Sequence, residues 1–353
     1  MCLDKMPRGK AAGSGGSSIT SHDIARLVGV SQSTVSRALR GDPSVAPATR
    51  ERVLEAARES RYVPNEIGRS LSTRLTRRIG MVVTDVGNPF YPYLVGPLHD
   101  TLDELGYRMV LFAERGEAEA LTDRLAGQSI DGVVLTTAML NSSLARDLHA
   151  RGVPLVYLNR VAEGVPADSV VVDNALGASL VAAELVRLGH RHIGALFGPT
   201  ETSTGRDRER GFRVALVSAG IELAEEDVRH GDYHFDTGHE EMLDLMQDRS
   251  VRPTAVFCGN DAIAIGALNA ARRLQLRVPE DVSIVGFDDF PMADWELMKL
   301  TSVHTPSSEM AELAARLLVE RIEALPASLE PRNHVFAPRL VIRATTGPVT
   351  VSE

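Results

Sequence analysis

The sequence predicts a small all-α head followed by an α/β body of two doubly wound parallel-sheet subdomains. Two short helical patterns meet at Gly29, and from Arg78 onward apolar strand-like runs alternate with amphipathic helical patterns. Charge divides at the same place: residues 1–78 carry 14 Lys and Arg against 7 Asp and Glu, and the rest carries 24 against 40. A basic module attached to an acidic body is typical of a nucleic-acid-binding protein.

Length and composition narrow the class of protein. The chain has 353 residues, 44% of them hydrophobic and 24% charged, as expected of a globular protein with two or three domains. No apolar run reaches membrane-spanning length, and residues 1–18 are Gly/Ser-rich and basic with no apolar signal region. We therefore expect a disordered tail and a cytoplasmic protein with no membrane partner. Cys2 and Cys258 form no disulfide or zinc pattern, and Cys258 is expected to be a buried, inert thiol.

The head contains the sharpest motif of the chain. Thr20 to Asp23 fit a capping box for a first helix, and Ser31 is placed to cap a second helix after the Gly29 turn. This spacing is that of a helix-turn-helix, whose second helix enters the DNA major groove, although an ordinary αα-hairpin has the same spacing. The exposed face of the second helix favours DNA, because its side chains are small or polar hydrogen-bonding groups without a carboxylate: Gln32, Ser33, Thr34, Ser36 and Arg37.

Two further helices are predicted before the body. The third runs from Pro47 to about Ser60, with proline at a favourable first position. The fourth covers residues 66–72 after Asn65 as a cap, and it is too short to be stable alone in water. We therefore expect it to be disordered until a partner orders it.

The body is predicted to hold ligands where its strands end. In parallel sheets, ligands bind beyond the carboxyl ends of the strands. The predicted strands are 79–83, 108–112, 132–135, 154–158, 193–197, 255–257 and 282–286, with helices at 93–105, 175–188, 208–219 and 262–274. The segments that follow strands combine aromatic rings with Asp, Asn and Arg, a combination suited to a sugar: 85–91, 159–160, 198–208, 259–261 and 287–289. Taken singly, Asp288, Asn260 and Arg208 also fit a turn cap, a helix cap and a surface residue.

Catalysis has little support in the sequence. We find no nucleophile elbow, phosphate loop or metal-ligand cluster, so we expect neither an enzyme nor a cofactor. Asp288 and Asp289 are adjacent on a strand and should point to opposite sides, which makes a poor acid/base pair. His190 and His192 are interpreted as solvated loop residues.

The chain resembles the lac repressor family of bacterial transcription regulators over about residues 19–347. The motifs that carry the resemblance are Asp23-Ile24-Ala25, Gly29-Val30-Ser31, Thr34 to Leu39, Thr49 to Val53, Tyr62 to Asn65, Asn88 to Tyr91, Val172-Asp173-Asn174, Arg208-x-x-Gly211-Phe212, Asn260-Asp261 and Gly286 to Asp289. The resemblance implies a homodimer that binds a near-palindromic double-stranded DNA operator and responds to a small-molecule effector, here expected to be a sugar. Effector binding would change the angle between the two body subdomains and so couple the pocket to the operator.

The resemblance also implies roles for individual residues. Base contacts would come from Gln32, Ser33 and Arg37, and phosphate contacts from Thr20, Ser31, Thr34, Ser36 and Asn65. Leu71 would wedge into the minor groove at the operator centre. The effector pocket would contain Phe90, Tyr91, Thr204, Arg208, Asn260 and Asp288.

The expected domains follow from the same resemblance. They are a tail at 1–18, a helix-turn-helix domain at 19–64, a hinge and linker at 65–78, and a body at 79–347. The body's first subdomain is expected at about 79–160 and 291–323, and its second at about 161–290 and 324–347. The sequence departs from the family pattern in several places; among them, Ala46 lacks the usual capping side chain of the third helix, and Gly68 weakens the hinge helix by roughly 1 kcal/mol.

Two other functions fit parts of the sequence. The body alone matches a sugar-binding module of the periplasmic-binding-protein type, which the basic head and the missing signal region oppose. An enzyme of sugar or nucleotide metabolism would also use a doubly wound fold, but it lacks a catalytic set here. Arg208 would serve a phosphate or carboxylate as well as a neutral sugar. The sequence leaves open the effector's identity and whether the effector releases or promotes DNA binding.

Overall fold

The computed structural model describes residues 19–39, 41–62, 75–84, 87–114, 118–127, 130–247, 252–324 and 330–349. The chain divides into two compact units between Thr76 and Arg77, which separates the head from the body. The predicted tail, Asn65, Gly68 and Leu71 lie outside the described residues.

The head is a three-helix domain: α1 is Ser21–Val28, α2 is Gln32–Leu39 and α3 is Pro47–Glu59. The predicted capping box at Thr20 is present, and Gly29 ends α1 in a left-handed conformation at φ 70°. Such a conformation suits glycine, which has no Cβ to clash. Ala46 precedes α3 without a side-chain cap. The helices are held together by a small apolar core that includes Ile24 and Val35.

The body contains two six-stranded sheets, in agreement with the two predicted subdomains. The first sheet has the order β11-β5-β4-β3-β1-β2, all parallel, and the second has the order β12-β10-β9-β8-β6-β7, parallel except for β12. The strands are β1 Arg78–Val83, β2 Arg108–Ala113, β3 Gly132–Leu135, β4 Leu155–Leu158, β5 Asp168–Val172, β6 Ile193–Phe197, β7 Val228–His230, β8 Ala255–Cys258, β9 Ser283–Asp288, β10 Thr301–His304, β11 Asn333–Phe336 and β12 Arg339–Val341. The central strands are buried along their whole length, which explains their near-continuous apolar runs.

Helices accompany these strands throughout the described part of the body. They are α4 Pro92–Glu104, α5 Ala118–Gly127, α6 Ser143–Ala150, α7 Asn174–Arg187, α8 Ser203–Ser218, α9 Phe235–Met246, α10 Asp261–Arg273 and α11 Ser307–Glu323, together with short 3-10 segments at Glu225–Asp227 and Pro291–Asp294. Helices α4, α5, α6 and α11 belong with the first sheet, and α7 to α10 belong with the second. Over the described residues, no helix combines the length and the apolarity needed to cross a membrane.

The boundaries between the two subdomains differ from the expected ones. β5 and β11 belong to the first sheet and β10 to the second, so the chain crosses near Asp173, at Thr305 and Pro306, and near residues 337–338. The expected crossings near 160, 290 and 323 are corrected accordingly. The first two expected crossings came too early because β5 and β10 were not among the predicted strands. Each of them pairs with the strand just before it, β4 and β9, and so extends the subdomain that the chain is about to leave.

Helix α11 runs through the first subdomain from the crossing at Thr305 and Pro306 to the end of the first sheet where β2 begins. It begins just after Thr305 and ends at Glu323, whose Oε1 accepts a hydrogen bond from the hydroxyl of Tyr107 (3.3 Å). The guanidinium carbon of Arg77, the first body residue, lies 5.1 Å from the centre of the Tyr107 ring. Burial raises the pKa of Tyr107 to about 12.

His190 is buried, so its interpretation as a solvated loop residue was wrong. It is only 1% exposed, with Nδ1 2.9 Å from the hydroxyl of Thr254 and Nε2 3.1 Å from the carbonyl oxygen of Gly347. Burial lowers the pKa of His190. His192 is partly exposed and lies 2.8 Å from a carboxylate oxygen of Asp227. Cys258 is fully buried, as predicted, and burial raises the pKa of its thiol well above the usual range.

Candidate functional site

The polar face of α2 is the candidate surface of the head. Gln32, Ser33 and Arg37 are not part of the core, whereas Val35 and Ala38 on the opposite face are buried in it. Among the described residues, Arg37 forms no ion pair, so its guanidinium is available to donate. The surface therefore presents an amide, a hydroxyl and a guanidinium from one helix, the groups that read base edges in a major groove.

The other predicted residues of the head are tied to the helix ends. The hydroxyl of Ser31 accepts from the backbone N–H of Thr34 (3.1 Å) and lies 2.8 Å from the hydroxyls of Ser33 and Thr34. Thr20 is exposed at the start of α1, and Ser36 is on α2. The Thr20 hydroxyl donates to Asp23 (2.7 Å), so the hydroxyls of Thr20 and Ser31 already have partners in the head. Their predicted phosphate contacts stay predictions. The predicted contacts of Asn65 and Leu71 lie outside the described residues and stay predictions.

The body contains a cavity of about 290 Å³ between the carboxyl ends of the two sheets. All six residues predicted for the effector pocket line it. The full lining is Thr84, Asn88, Phe90, Tyr91, Asn159, Arg160, Pro199, Thr204, Arg208, Asp232, Tyr233, His234, Asn260 and Asp288. The structure thus brings together residues up to about two hundred positions apart, because parallel strands end at the same edge of a sheet.

Arg208 is fixed in the wall of the cavity by three hydrogen bonds. Its Nε donates to the side-chain oxygen of Asn174 (2.8 Å), its Nη1 to the carbonyl of Gly259 (2.6 Å), and its Nη2 to Oδ1 of Asp288 (2.9 Å). The guanidinium also lies 3.7 Å from the centre of the Phe287 ring. Arg208 is 3% exposed, so its alternative interpretation as a surface residue was wrong. Its charge is compensated by Asp288, and its orientation is fixed.

Three residues near the cavity have a backbone conformation that is uncommon outside glycine. Asn159, Asp288 and Asp289 have φ of 71°, 105° and 56°. Such conformations cost free energy and cluster at binding sites. At the end of β9, the side chain of Asp288 faces the cavity, whereas the carboxylate of Asp289 lies 2.7 Å from Arg343 and 2.9 Å from His304. The two carboxylates contact different partners, as expected, but Asp289 lies just after β9 and not on the strand.

A second buried carboxyl lies beneath the cavity. Asp261 is fully buried, and its oxygens accept from the hydroxyl of Ser302 (2.5 Å) and the backbone N–H of Phe290 (2.7 Å). Burial, together with the negative charge of Asp288, raises the pKa of Asp261 well above its ordinary value. Burial also raises the pKa of Asp288, while nearby positive guanidinium groups oppose that shift. Asp261 therefore fixes the segment after Asp288 from below.

Aromatic rings form the walls of the cavity. Tyr91 is nearly buried, with its hydroxyl 2.7 Å from that of Thr84. The Tyr233 hydroxyl donates to Thr204 (3.3 Å), and the backbone carbonyl of Tyr233 accepts from the side chain of Asn88 across the cleft (2.9 Å). These rings offer flat apolar surfaces beside polar groups, the arrangement that suits a sugar ring.

Asn260 has both of the roles considered for it. Its Oδ1 accepts from the backbone N–H of Ile263 (2.9 Å) and caps α10. Within the described residues its side-chain NH2 forms no hydrogen bond, so this group remains available to a ligand. Capping and ligand binding are therefore compatible at this position.

Sequence reasoning omitted several lining residues from the pocket. Asn88, Asn159 and Arg160 lie in segments that were singled out after strands, so their signal was visible. Tyr233 and its neighbours follow β7, a strand of three residues that sequence reasoning missed. Asn174, which orients Arg208, comes from the start of α7; it belongs to the motif Val172-Asp173-Asn174 that carried the resemblance, but no role was assigned to it.

Comparison with known proteins finds a matching family model for the head and another for the body. The family model for bacterial regulatory proteins of the lacI family matches residues 20–65, and the model for a periplasmic binding protein-like domain matches residues 182–346. The HTH-type transcriptional regulator CelR of Thermobifida fusca is 38% identical over 330 residues, which cover 91% of this chain and 96% of CelR.

Solved structures agree with this assignment. A structure of a transcriptional regulator CelR–cellobiose complex has a TM-score of 0.70 at 36% identity and covers 93% of this chain and 99% of its own. A lac repressor dimer bound to operator and the anti-inducer ONPF has a TM-score of 0.82 at 27% identity and covers 94% of this chain and 100% of its own. This chain belongs to the lacI family of bacterial regulatory proteins.

Proposed function

We propose that this chain is a transcription repressor that binds a near-palindromic DNA operator as a homodimer and is controlled by a sugar held in the body cavity. The observation that carries the proposal is the cavity itself, in which the six predicted residues meet between two subdomains. A ligand there contacts both subdomains, so its binding free energy depends on the angle between them.

The head supports sequence-specific DNA binding. Arg37 forms no ion pair within the described part of the chain, so it can donate two hydrogen bonds to a guanine edge. Gln32 is on the same helix and suits adenine, and Ser33 adds a short hydroxyl group. Thr20, Ser31, Thr34 and Ser36 are proposed to bind phosphates.

The contacts of Arg208 favour a neutral sugar, and not a phosphate or a carboxylate, as the ligand of the cavity. Three directions of that guanidinium are already occupied, and its charge is neutralised by Asp288 at 2.9 Å. Asp288 and Asn260 then accept and donate to hydroxyl groups, and Phe90 and Tyr91 supply flat apolar surfaces. The similar CelR structure is a complex with cellobiose, which points in the same direction.

Two exposed apolar side chains support a homodimer. Trp295 is 57% exposed and Leu297 is 90% exposed, in the loop after β9. Large apolar side chains that are close together on a surface often mark a protein interface. The similar lac repressor structure is a dimer. We therefore propose that this loop contributes to contact with a second copy of the chain.

Further parts of the proposal concern catalysis and location. The relatives CelR and the ribose operon repressor of Escherichia coli are regulators, and we propose that this chain likewise has no enzymatic activity. We also propose that it acts in the cytoplasm, where operator DNA is found.

Electrophoretic mobility shift with genomic fragments tests the DNA-binding part. We expect wild type to bind an operator selectively. Arg37→Ala should weaken the free energy of operator binding by about 1–3 kcal/mol and relax the preference at one base pair. Equal affinity and equal preference in the variant would remove Arg37 from base reading.

A thermal-shift screen of the full chain tests the effector. We expect cellobiose or another neutral sugar to raise the melting temperature of the body, since a ligand that binds only the folded state stabilises it. Asp288→Ala should abolish the shift while operator binding without sugar persists. A panel of neutral sugars that leaves the melting temperature unchanged would contradict the proposed effector class.

A further inference from the structure

Helix α8 presents an apolar face to solvent. Val214 and Val217 are 61% and 67% exposed, and Leu176 on the neighbouring helix α7 is 43% exposed. A shallow groove between the two helices lies beside these side chains, with Ala175 and Gly211 in its lining. Exposed apolar side chains that cluster around a groove are typical of a surface that binds another protein.

The spacing of the exposed residues on α8 is that of a helix that packs against another helix. Asp207, Arg210, Val214 and Val217 follow one another at intervals of three, four and three residues, which places them on one stripe of the helix. Apolar residues at these intervals form the contact line of paired helices. This stripe and the groove beside it are called the α8 surface below.

The α8 surface lies on the opposite side of the second sheet from the loop proposed for the homodimer. Successive residues of β9 point in turn into two apolar cores, one on each side of the sheet. Phe212 of α8 belongs to the first core. Ala293 and Leu300, which flank the loop of Trp295, belong to the second core together with residues of α9 and α10. The two surfaces can therefore be occupied at the same time.

The charges along the stripe favour a second copy of the same chain as the partner. The last turn of α8, which the structure describes completely, contains no basic residue, so the negative end of its helix dipole has no cation from its own helix. Arg210 lies about two turns earlier, with 66% of its side chain exposed and a guanidinium nitrogen 3.5 Å from Asp207. When a second α8 lies antiparallel to the first, Arg210 of each copy reaches the last turn of the other.

The apolar residues complement each other in the same arrangement. An antiparallel pair centred on Val214 brings the two Val214 side chains together and places Val217 of each copy over the groove at Gly211 of the other. A Cβ at Gly211 would lie 2.2 Å from the carbonyl oxygen of Ala175. The floor of the groove is therefore formed by closely packed backbone, which leaves room for a valine side chain above it. One two-fold arrangement thus satisfies both the charges and the apolar side chains.

We propose that the α8 surface binds the α8 surface of a second copy of this chain, with the two helices antiparallel about a two-fold axis. The inference goes beyond the proposed homodimer, because it uses a different surface and joins two homodimers into an assembly of four copies. A contact between two helices buries less area than a standard protein interface, so the assembly should depend on protein concentration.

Sedimentation velocity of the full-length chain from about 1 to 100 μM, a range in which small interfaces associate, tests the inference. We expect wild type to pass from two copies to four as the concentration rises. The double variant Val214→Glu/Val217→Glu should stay at two copies. Its dissociation constant for the four-copy species should rise about 100-fold or more, because carboxylates would be buried at the centre of the contact. The matched control is Val335→Glu, since Val335 is 52% exposed on β11 of the first subdomain, and it should behave like wild type.

Two further variants test the antiparallel arrangement. Arg210→Ala should raise the dissociation constant of the four-copy species about 3- to 30-fold, because each contact loses two cations at helix ends. Val214→Cys in a Cys2→Ser chain should form a disulfide-linked pair under mild oxidation, whereas Val335→Cys should not; Cys258 is buried and does not take part. All these variants should keep the wild-type melting temperature at the lowest concentration, because the substituted side chains are exposed.

The results that would overturn the inference are distinguishable. A wild type that stays at two copies throughout removes the α8 contact and leaves the proposed homodimer intact. Four copies that persist in Val214→Glu/Val217→Glu place the second contact elsewhere. Loss of the two-copy species in that variant makes α8 the contact of the homodimer itself, in contradiction to the loop of Trp295. A wild type that stays a single copy contradicts the proposed homodimer as well.

Discussion

The substitution Arg208→Lys tests the geometry of the cavity most directly. Arginine donates in three directions at once, to Asn174, Gly259 and Asp288, and stacks on Phe287. A lysine ammonium group keeps its charge and one partner, Asp288, but does not reach the other two acceptors. Each buried acceptor left unpaired costs about 1–3 kcal/mol, and the loss of the stacked guanidinium adds to this. We expect the body to lose about 3–6 kcal/mol of unfolding free energy.

Thermal unfolding followed by circular dichroism measures this loss. For a domain of this size, 1 kcal/mol corresponds to about 2–4 °C, so the transition of the body should fall by roughly 10 °C. The control is Arg206→Lys on the same helix. The Arg206 side chain is 40% exposed and pairs with Glu163 and Asp207 at the surface, where such pairs contribute about 0–1 kcal/mol. Similar melting temperatures for the two variants would refute the argument that Arg208 is a buried three-way donor.

Two further predictions concern other parts of the body. Asp168 is fully buried and accepts from Arg321 and Arg332; burial raises the pKa of its carboxyl, but these bonds outweigh burial and the net shift is downward. Asp168→Asn should therefore lower the free energy of unfolding by about 3 kcal/mol at pH 7. The difference in unfolding free energy between wild type and variant should shrink as the pH falls below about 4, because the stabilisation by the carboxylate is present above its unfolded pKa and disappears as the carboxylate is protonated. Urea unfolding from pH 3 to 7 measures this, and a difference independent of pH would contradict it. A Cβ at Gly198 would lie only 2.1 Å from Cζ of the Tyr233 ring, so Gly198→Ala should displace that ring and weaken sugar binding in titration; unchanged affinity would exclude Tyr233 from the binding wall.

The strand ends could be predicted from the sequence because their signal is local. An apolar run followed by Asn, Asp or Arg marks a strand and its carboxyl end, and parallel pairing then brings such ends together. This pattern predicts Arg208, Asn260 and Asp288 as site residues. The three-way support of Arg208 was not predictable, because Asn174 is 34 residues away and on another helix.

The subdomain boundaries and the burial of His190 could not be predicted from local sequence. β5 and β10 were not among the predicted strands, and each pairs with the strand just before it, β4 and β9. His190 is flanked by Gly189 and Arg191, which suggested a solvated loop. It is buried because the chain returns 157 residues later and places the carbonyl of Gly347 against it. Contacts of this kind are set by the tertiary fold.

Helix α11 connects the cavity end of the first subdomain to the residues at which the body begins. The helix has 17 residues and is about 25 Å long at roughly 1.5 Å per residue. Near its first turn, the hydroxyl of Thr305 donates to the backbone carbonyl of Asp288 (3.3 Å), and its last residue, Glu323, bonds to Tyr107 beside Arg77. Because α11 also packs on α4, β3, β4 and β5 along the way, a change at its cavity end would be carried through the first subdomain as a whole and would reach Arg77, where the body begins.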